Sequence, residues 1–354
     1  MRDPSELVAG LPYLMGFRPR ESLVVVAFGG ASGRRITLTM RIDLPPPEHV
    51  PDISRALAEN VLRARPTGAA VIVLGEVDAG GAVSGPSFPP SPPPHLPLVT
   101  EVVDALARRG VDVHTRLWSA STEKGAAWAC YDACCCRGVL PDPDATPLAA
   151  TAVAAGAVVH ADRAALEQLV APGPPDRLRR RAAMLHSDVP DRGAVGEGDP
   201  EGEVNGGGQA VVDAALADAA AGRLHLDDGR VVALALALSD PLVRDAALLR
   251  SAEPGMESAE HLWAALTRET PDPEAAEPAA LLAAYALLRG DGAMAGIALA
   301  RALRAHPRHP LSCLLRRAWA AGMRPGQVRE CLRRPHAPPL PPPRAKSRRR
   351  RRRR

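Results

Sequence analysis

Aromatic residues are scarce in this 354-residue chain, at four Trp, three Tyr and three Phe. Ala, Leu and Val must fill its interior, and small side chains let helices approach closely. Lysine is nearly absent: Lys124 and Lys346 stand against 42 Arg. A Walker loop needs Gly-Lys-Ser/Thr, which neither lysine provides, so any Schiff-base or kinase-type chemistry would rest on Lys124 in "STEKGA". No apolar run nears the roughly 20 residues that span a bilayer; "LVVVAF" (23–28) and "VVALALAL" (231–238) are the longest. Also missing are Gly-x-Ser-x-Gly, His-Glu-x-x-His and Gly-x-Gly-x-x-Gly, which removes the familiar hydrolase, zincin and dinucleotide signatures.

The amino-terminal stretch carries Asp3 and Glu6 and lacks a basic start followed by an unbroken apolar segment, so no secretory leader is expected. The expectation is a cytoplasmic protein whose cysteines stay reduced. The net charge of +4 comes from the far end: nine basic residues from Arg344 onward leave residues 1–343 at −5. Any electrostatic case for nucleic acid or an acidic surface therefore rests on the arginine run, with Arg348, Arg350, Arg352 and Arg354 as contact candidates. No aromatics interleave there for base stacking. The preceding "PPLPPPR" (338–344) fits a polyproline II ligand.

Hydrophobic spacing predicts an α/β amino-terminal domain with a mixed sheet, followed by an all-α domain. Residues 23–28 and the alternating "RITLTMRIDL" (35–44) form a hairpin across "GGASGRR". A helix follows over 51–66 with Asp52 placed to cap it, then a buried strand over 69–77. A helix over 98–110 ends at Gly110, and a strand runs over 111–119. Short helices are expected at 146–156 and 162–172, and the basic "DRLRRRAAML" is read as a further helix. Gly, Pro and acids over 187–208 read as a linker between a domain at 1–186 and a second at 209–334, with a disordered tail at 335–354. The second domain is helical throughout: 209–222, 227–239, 241–252, 257–269, 277–289, 292–306, 309–322 and 325–334. Within it, 281–307 forms a helical hairpin with Ala295, Leu299, Ala302 and Pro307 spaced as in one tetratricopeptide-type unit.

"WACYDACCCRG" (128–138) holds four of the six cysteines in seven positions. It falls just beyond the last strand, where α/β proteins commonly place sites. Zinc-knuckle Cys-x-x-Cys spacing is absent. Cys130, Cys135 or Cys136, His114 from the preceding strand and Asp132 would make a ligand set for zinc. Arg137 would favour a neighbouring thiolate, the condition for redox use. Packed, inert thiols beneath Trp118 and Trp128 are the third alternative. Tyr13 and Arg18, beside the first hairpin, are candidate ligand-binding residues.

Three segments in order carry a family likeness. "LVAGLPYLMGFRPRESLVVVAF" (7–28) presents Pro12, Tyr13, Leu14, Gly16, Phe17 and Pro19, then Ser22, Leu23 and Val24. Cys130, Asp132, Cys135 and Cys136 follow a Trp, and "VRDAAL" (243–248) and "LRGDGAMAGIALARAL" (288–303) lie in the helical half. These resemble the bacterial family called domain of unknown function 4192 across most of residues 5–335. Arg137 stands where that family usually has Pro, and Cys134 is additional. The resemblance implies kinship and no particular activity. The expectation from the residues is a non-catalytic binding or interaction protein engaging a protein partner through its helical half. A zinc-binding or thiol-redox protein using residues 130–136 is the competing class.

Overall fold

The computed structural model describes residues 3–333, save 31–32, 34, 77–91, 135, 155, 157, 188–200, 252, 254 and 257. Asp3 caps the first helix, α1 (Pro4–Ala9), by accepting from Ser5 N at 2.9 Å; α2 (Leu11–Met15) follows. Gly16, at φ +73°, then takes the left-handed conformation that ends α2. The hairpin read from the sequence is present: β1 (Ser22–Gly29) pairs antiparallel with β2 (Arg35–Asp43), with a bulge at Ala27/Phe28. α3 (Val50–Arg63) leads to β3 (Gly68–Leu74), α4 (Leu96–Ala107) and β4 (Val113–Ser119). Asp52 does not cap α3: with Pro51 in its first turn the helix begins earlier, after His49, and Asp52 pairs with Arg55. Gly110, at φ +75°, turns the chain after α4, and Val111 N donates back to Leu106 O at 3.1 Å.

Two strands escape the sequence reading. β5 (Ala127–Cys130) and β6 (Arg137–Val139) extend the sheet, giving the order β2-β1-β3-β4-β5-β6. Only β3–β4 is parallel, the pair bridged by α4; every other pairing is antiparallel, so the sheet is mixed. Both faces are buried. Leu23, Val25, Ala27, Val71, Val73 and Trp118 pack with Leu57 and Val61 of α3 and Val102 and Leu106 of α4. The alternate residues Val24, Val26, Ile72, Leu74, Leu117 and Cys130 join Leu7, Leu11, Met15 and Phe17 in a larger cluster.

Among the described residues that cluster continues into the rest of the chain, which is mostly helical as expected. After α5 (Pro147–Ala154), α6 (Arg163–Gln168) and α7 (Pro175–Ser187) come α8 (Glu201–Ala220), α9 (Asp228–Leu238) and α10 (Pro241–Ser251). α11 (Ser258–Glu269), α12 (Ala276–Arg289), α13 (Gly292–Ala305), α14 (Pro310–Ala320) and α15 (Pro325–Arg333) complete it. α8 begins inside the segment read as a linker, since Glu201 to Gly208 are helical despite their glycines. The hairpin of α12 and α13 turns at Gly290, φ +82°, with Asp291 capping α13 through Met294 N. Leu281, Leu282, Trp263, Leu299 and Val212 of this half share one hydrophobic cluster with Val24 and Leu117 of the sheet. Across the seam, Gly173 N donates to Arg268 O at 2.8 Å, and Arg63 Nη1 to Ala320 O at 2.6 Å. Buried Arg181 of α7 bonds Asp228 of α9 and Glu269 of α11. Among the described residues no helix is long and apolar enough to cross a membrane.

Candidate functional site

The cysteine cluster occupies the turn between β5 and β6, at the far edge of the sheet. Pairing fixes its base: Leu117 opposes Cys130, Ala129 opposes Arg137, and Cys130 N donates to Cys136 O at 2.8 Å. With the strand ends held, the turn folds Cys134 back over Cys130. Their sulfurs are 3.0 Å apart, and the Sγ atoms of Cys130, Cys134 and Cys136 all lie within 4.8 Å of one another. Among the described residues this is the one group that brings three metal-type ligand atoms so close. Cys130 is buried, while Cys134 and Cys136 are exposed, so the site opens to solvent on one side.

The thiols are unequal. Cys136 N donates to Cys130 Sγ at 3.2 Å, and the Cys130 thiol reaches the Asp132 carbonyl oxygen at 3.6 Å. Burial first, then the hydrogen bond to Cys134, pushes the Cys130 thiol above its ordinary value. Cys136 is pushed up to about 11, chiefly because its thiol donates to Cys134. Hydrogen bonds from both neighbours lower Cys134. Cys134 is thus the sulfur that carries negative charge first.

The sequence-derived ligand set is rearranged. Cys130 and Cys136 converge, whereas Cys135 lies outside the described residues. The Asp132 carboxylate is engaged by Arg116 of β4 and leaves only its carbonyl to the cluster. His114 is exposed and sits over Gly68 of β3, where a register irregularity spans Val113–Thr115; it is not part of the group. Cys134, absent from the ligand set drawn from the sequence, joins the group because the tight turn brings its sulfur to Cys130. Spacing alone gives no sign of that. Tyr13 OH donates to Asp144 Oδ1 at 2.6 Å, and this bond raises the phenol above its usual value. Arg18 joins the segment through its backbone, donating to His160 O at 3.1 Å. Lys124 pairs with Asp142 at 3.2 Å on the surface. Arg348, Arg350, Arg352 and Arg354 lie outside the described residues.

Sheet, helical half and thiol-bearing hairpin together define a mixed α/β protein with a cysteine cluster on its last β-turn. The chain belongs to the family described as a domain of unknown function (DUF4192), which matches residues 4–326. No curated protein and no solved structure matches it.

Proposed function

We propose that this protein is a non-catalytic binding protein whose β5–β6 turn holds a soft d10 cation, zinc, through Cys130, Cys134 and Cys136. The observation that carries the reading is the convergence of three sulfurs within 4.8 Å. Tetrahedral zinc, with sulfur about 2.3 Å away, separates its ligands by about 3.8 Å, so binding asks for small side-chain shifts only. The amide of Cys136 donating to Cys130 Sγ is the kind of support that steadies a metal-bound thiolate. Three thiolates on a divalent ion carry one net negative charge, and Arg116 lies beside the site on Asp132. The exposed side leaves room for a fourth ligand.

The test is elemental analysis of reduced full-length protein, purified without an affinity tag. One zinc per chain is expected, lost in Cys130→Ser, Cys134→Ser and Cys136→Ser and kept in Cys331→Ser. Failure to retain or take up zinc at the cysteines overturns the reading. A second reading draws on the 3.0 Å contact between Cys130 and Cys134: a peroxide oxidises the Cys134 thiolate to a sulfenic acid, and the Cys130 sulfur then attacks it with loss of water to close a reversible disulfide. Mass mapping of a 130–134 disulfide after mild peroxide treatment would support it.

A further inference from the structure

Two arginines of the helical half are enclosed to nearly the same depth and served very differently. Arg181 meets the carboxylates of Asp228 and Glu269 and the carbonyls of Glu269 and Leu226. Arg301 of α13 is 2% exposed. Among the described residues it makes one hydrogen bond, from Nη2 to Asp272 Oδ1 at 2.7 Å, and its Nε is buried without a partner. The Asp272 side chain is itself half in water, at 51% exposure. A guanidinium carries more N–H donors than one acceptor fills, and leaving them unmet out of water is costly unless something else engages them. Arg301 lines a cavity of about 210 Å³ between α7, the α11–α12 connection and α13. Pro172, Leu178, Ala182 and Pro271 form its apolar walls, and Arg179 and Asp272 are the other charged groups around it.

We propose that this cavity binds a small organic monocarboxylate with an apolar body, whose carboxylate takes donors that Arg301 leaves unused. Size, charge and wall chemistry agree. An apolar cavity of about 150 Å³ holds one benzene. The 210 Å³ here therefore takes a ring or short chain of that bulk together with a carboxylate. Two positive groups stand around the cavity against one negative, a balance that favours an anion. Asp272 does not fill the place, since it gives Arg301 a single oxygen. Arg181 shows that one enclosed guanidinium of this chain holds two carboxylates at once. Arg179 is exposed, and its pairing with Asp176 on the same helix faces solvent; such a pair is weak enough for Arg179 to turn toward an incoming anion. The planar fork of a guanidinium matches a carboxylate, which accepts two bonds side by side. Apolar walls select for the rest of the ligand: a free phosphate would press its remaining oxygens against Pro172, Leu178, Ala182 and Pro271 and lose their hydration.

The experiment titrates the full chain with benzoate by isothermal calorimetry at constant ionic strength. Benzamide serves as the uncharged isostere and inorganic phosphate as the anion without an apolar body. One saturable benzoate site per chain is expected, with benzamide and phosphate about tenfold weaker or more. Ala182→Leu, at a half-buried wall position, fills the cavity without touching a charge and should lower benzoate affinity about tenfold or more. Arg179→Ala should weaken binding measurably, and Arg301→Met should abolish it. Asp272→Asn should act the other way and tighten binding about threefold, because the ligand no longer shares the guanidinium with a fixed carboxylate. That direction separates a ligand site from a purely structural ion pair, whose loss would lower the melting temperature alone. If Arg301→Met does not fold, Ala182→Leu and the exposed Asp272→Asn carry the decision. Absence of saturable benzoate binding overturns the proposal, as does binding that benzamide or phosphate matches, or that Ala182→Leu and Asp272→Asn leave unchanged.

Discussion

Replacing Arg181 by Met measures how firmly α7 is tied to the later helices. Arg181 is 1% exposed; its Nε donates to Asp228 Oδ1 at 2.7 Å, its Nη1 to the Glu269 carbonyl at 2.7 Å and also to Glu269 Oε2. Methionine keeps the apolar stem and supplies no donor. Removing one member of a buried ion pair typically costs about 3–5 kcal/mol, because the remaining charge stays desolvated. Here Glu269 keeps both bonds from Arg177, at 3.1 and 3.0 Å, and Asp228 keeps those from Arg180, at 3.2 and 3.1 Å. The expected loss for Arg181→Met therefore falls at the low end, about 3 kcal/mol. Urea unfolding followed by tryptophan fluorescence reads it: with a slope of about 3 kcal/mol per molar, the midpoint drops by about 1 M. Arg180→Met, at an exposed position, should cost under about 1 kcal/mol. A loss below about 1 kcal/mol for Arg181→Met would refute the reasoning, since the guanidinium would then be dispensable where it is most enclosed.

The same network sets an acid dependence. The Arg181 hydrogen bond holds Asp228 below its ordinary value, and for Glu269 the bonds from Arg181 and Arg177 outweigh the upward push of burial. Carboxylates depressed in the folded state stabilise it above their unfolded pKa, near 4, and lose that contribution as pH falls through the lower folded value. The stability gap between wild type and Arg181→Met should accordingly shrink when urea unfolding is repeated between pH 5 and pH 3. Gly68→Ala places a methyl 2.4 Å from His114 Nε2, so the exposed ring must swing away; a stability change under about 1 kcal/mol and a shifted His114 NMR resonance are expected. In reduced, metal-free protein, iodoacetamide below pH 8 should modify Cys134 ahead of Cys136, because the cluster lowers one thiol and raises the other; mass spectrometry of tryptic peptides gives the order.

Periodicity exposed most of this fold because most elements bury one face, or both, over several turns or pleats. The alternation of Ile36, Leu38, Met40 and Ile42 identifies β2, and the Pro and Gly breaks bound the later helices to within a few residues, α8 excepted. β5 and β6 were hidden for the opposite reason. They are four and three residues long, too short for a period to register, and Trp128 and Gly138 carry no alternating pattern. α8 was cut short because Gly206 to Gly208 read as a break, although the helix runs through them. The thiol site was half legible. Residue types and crowding were visible, but which sulfurs meet depends on β4–β5–β6 register, and that register also leaves His114 elsewhere. The Glu277–His309 contact joins the start of one helix to the start of another, a long-range pairing that no local spacing encodes.

The two-faced burial of β1 and β3 bears on how the chain is made. Their outward and inward residues are equally apolar, so polarity does not penalise a one-residue slip of register; the bulge at Ala27/Phe28 and the short hairpin have to prevent it. One of those faces belongs to a cluster finished only by helices beyond residue 200. On a ribosome adding about 5–20 residues per second, the amino-terminal half waits on the order of 10 s for them. During that interval the strands present an incompletely covered apolar surface, which makes the nascent half a natural client for a chaperone.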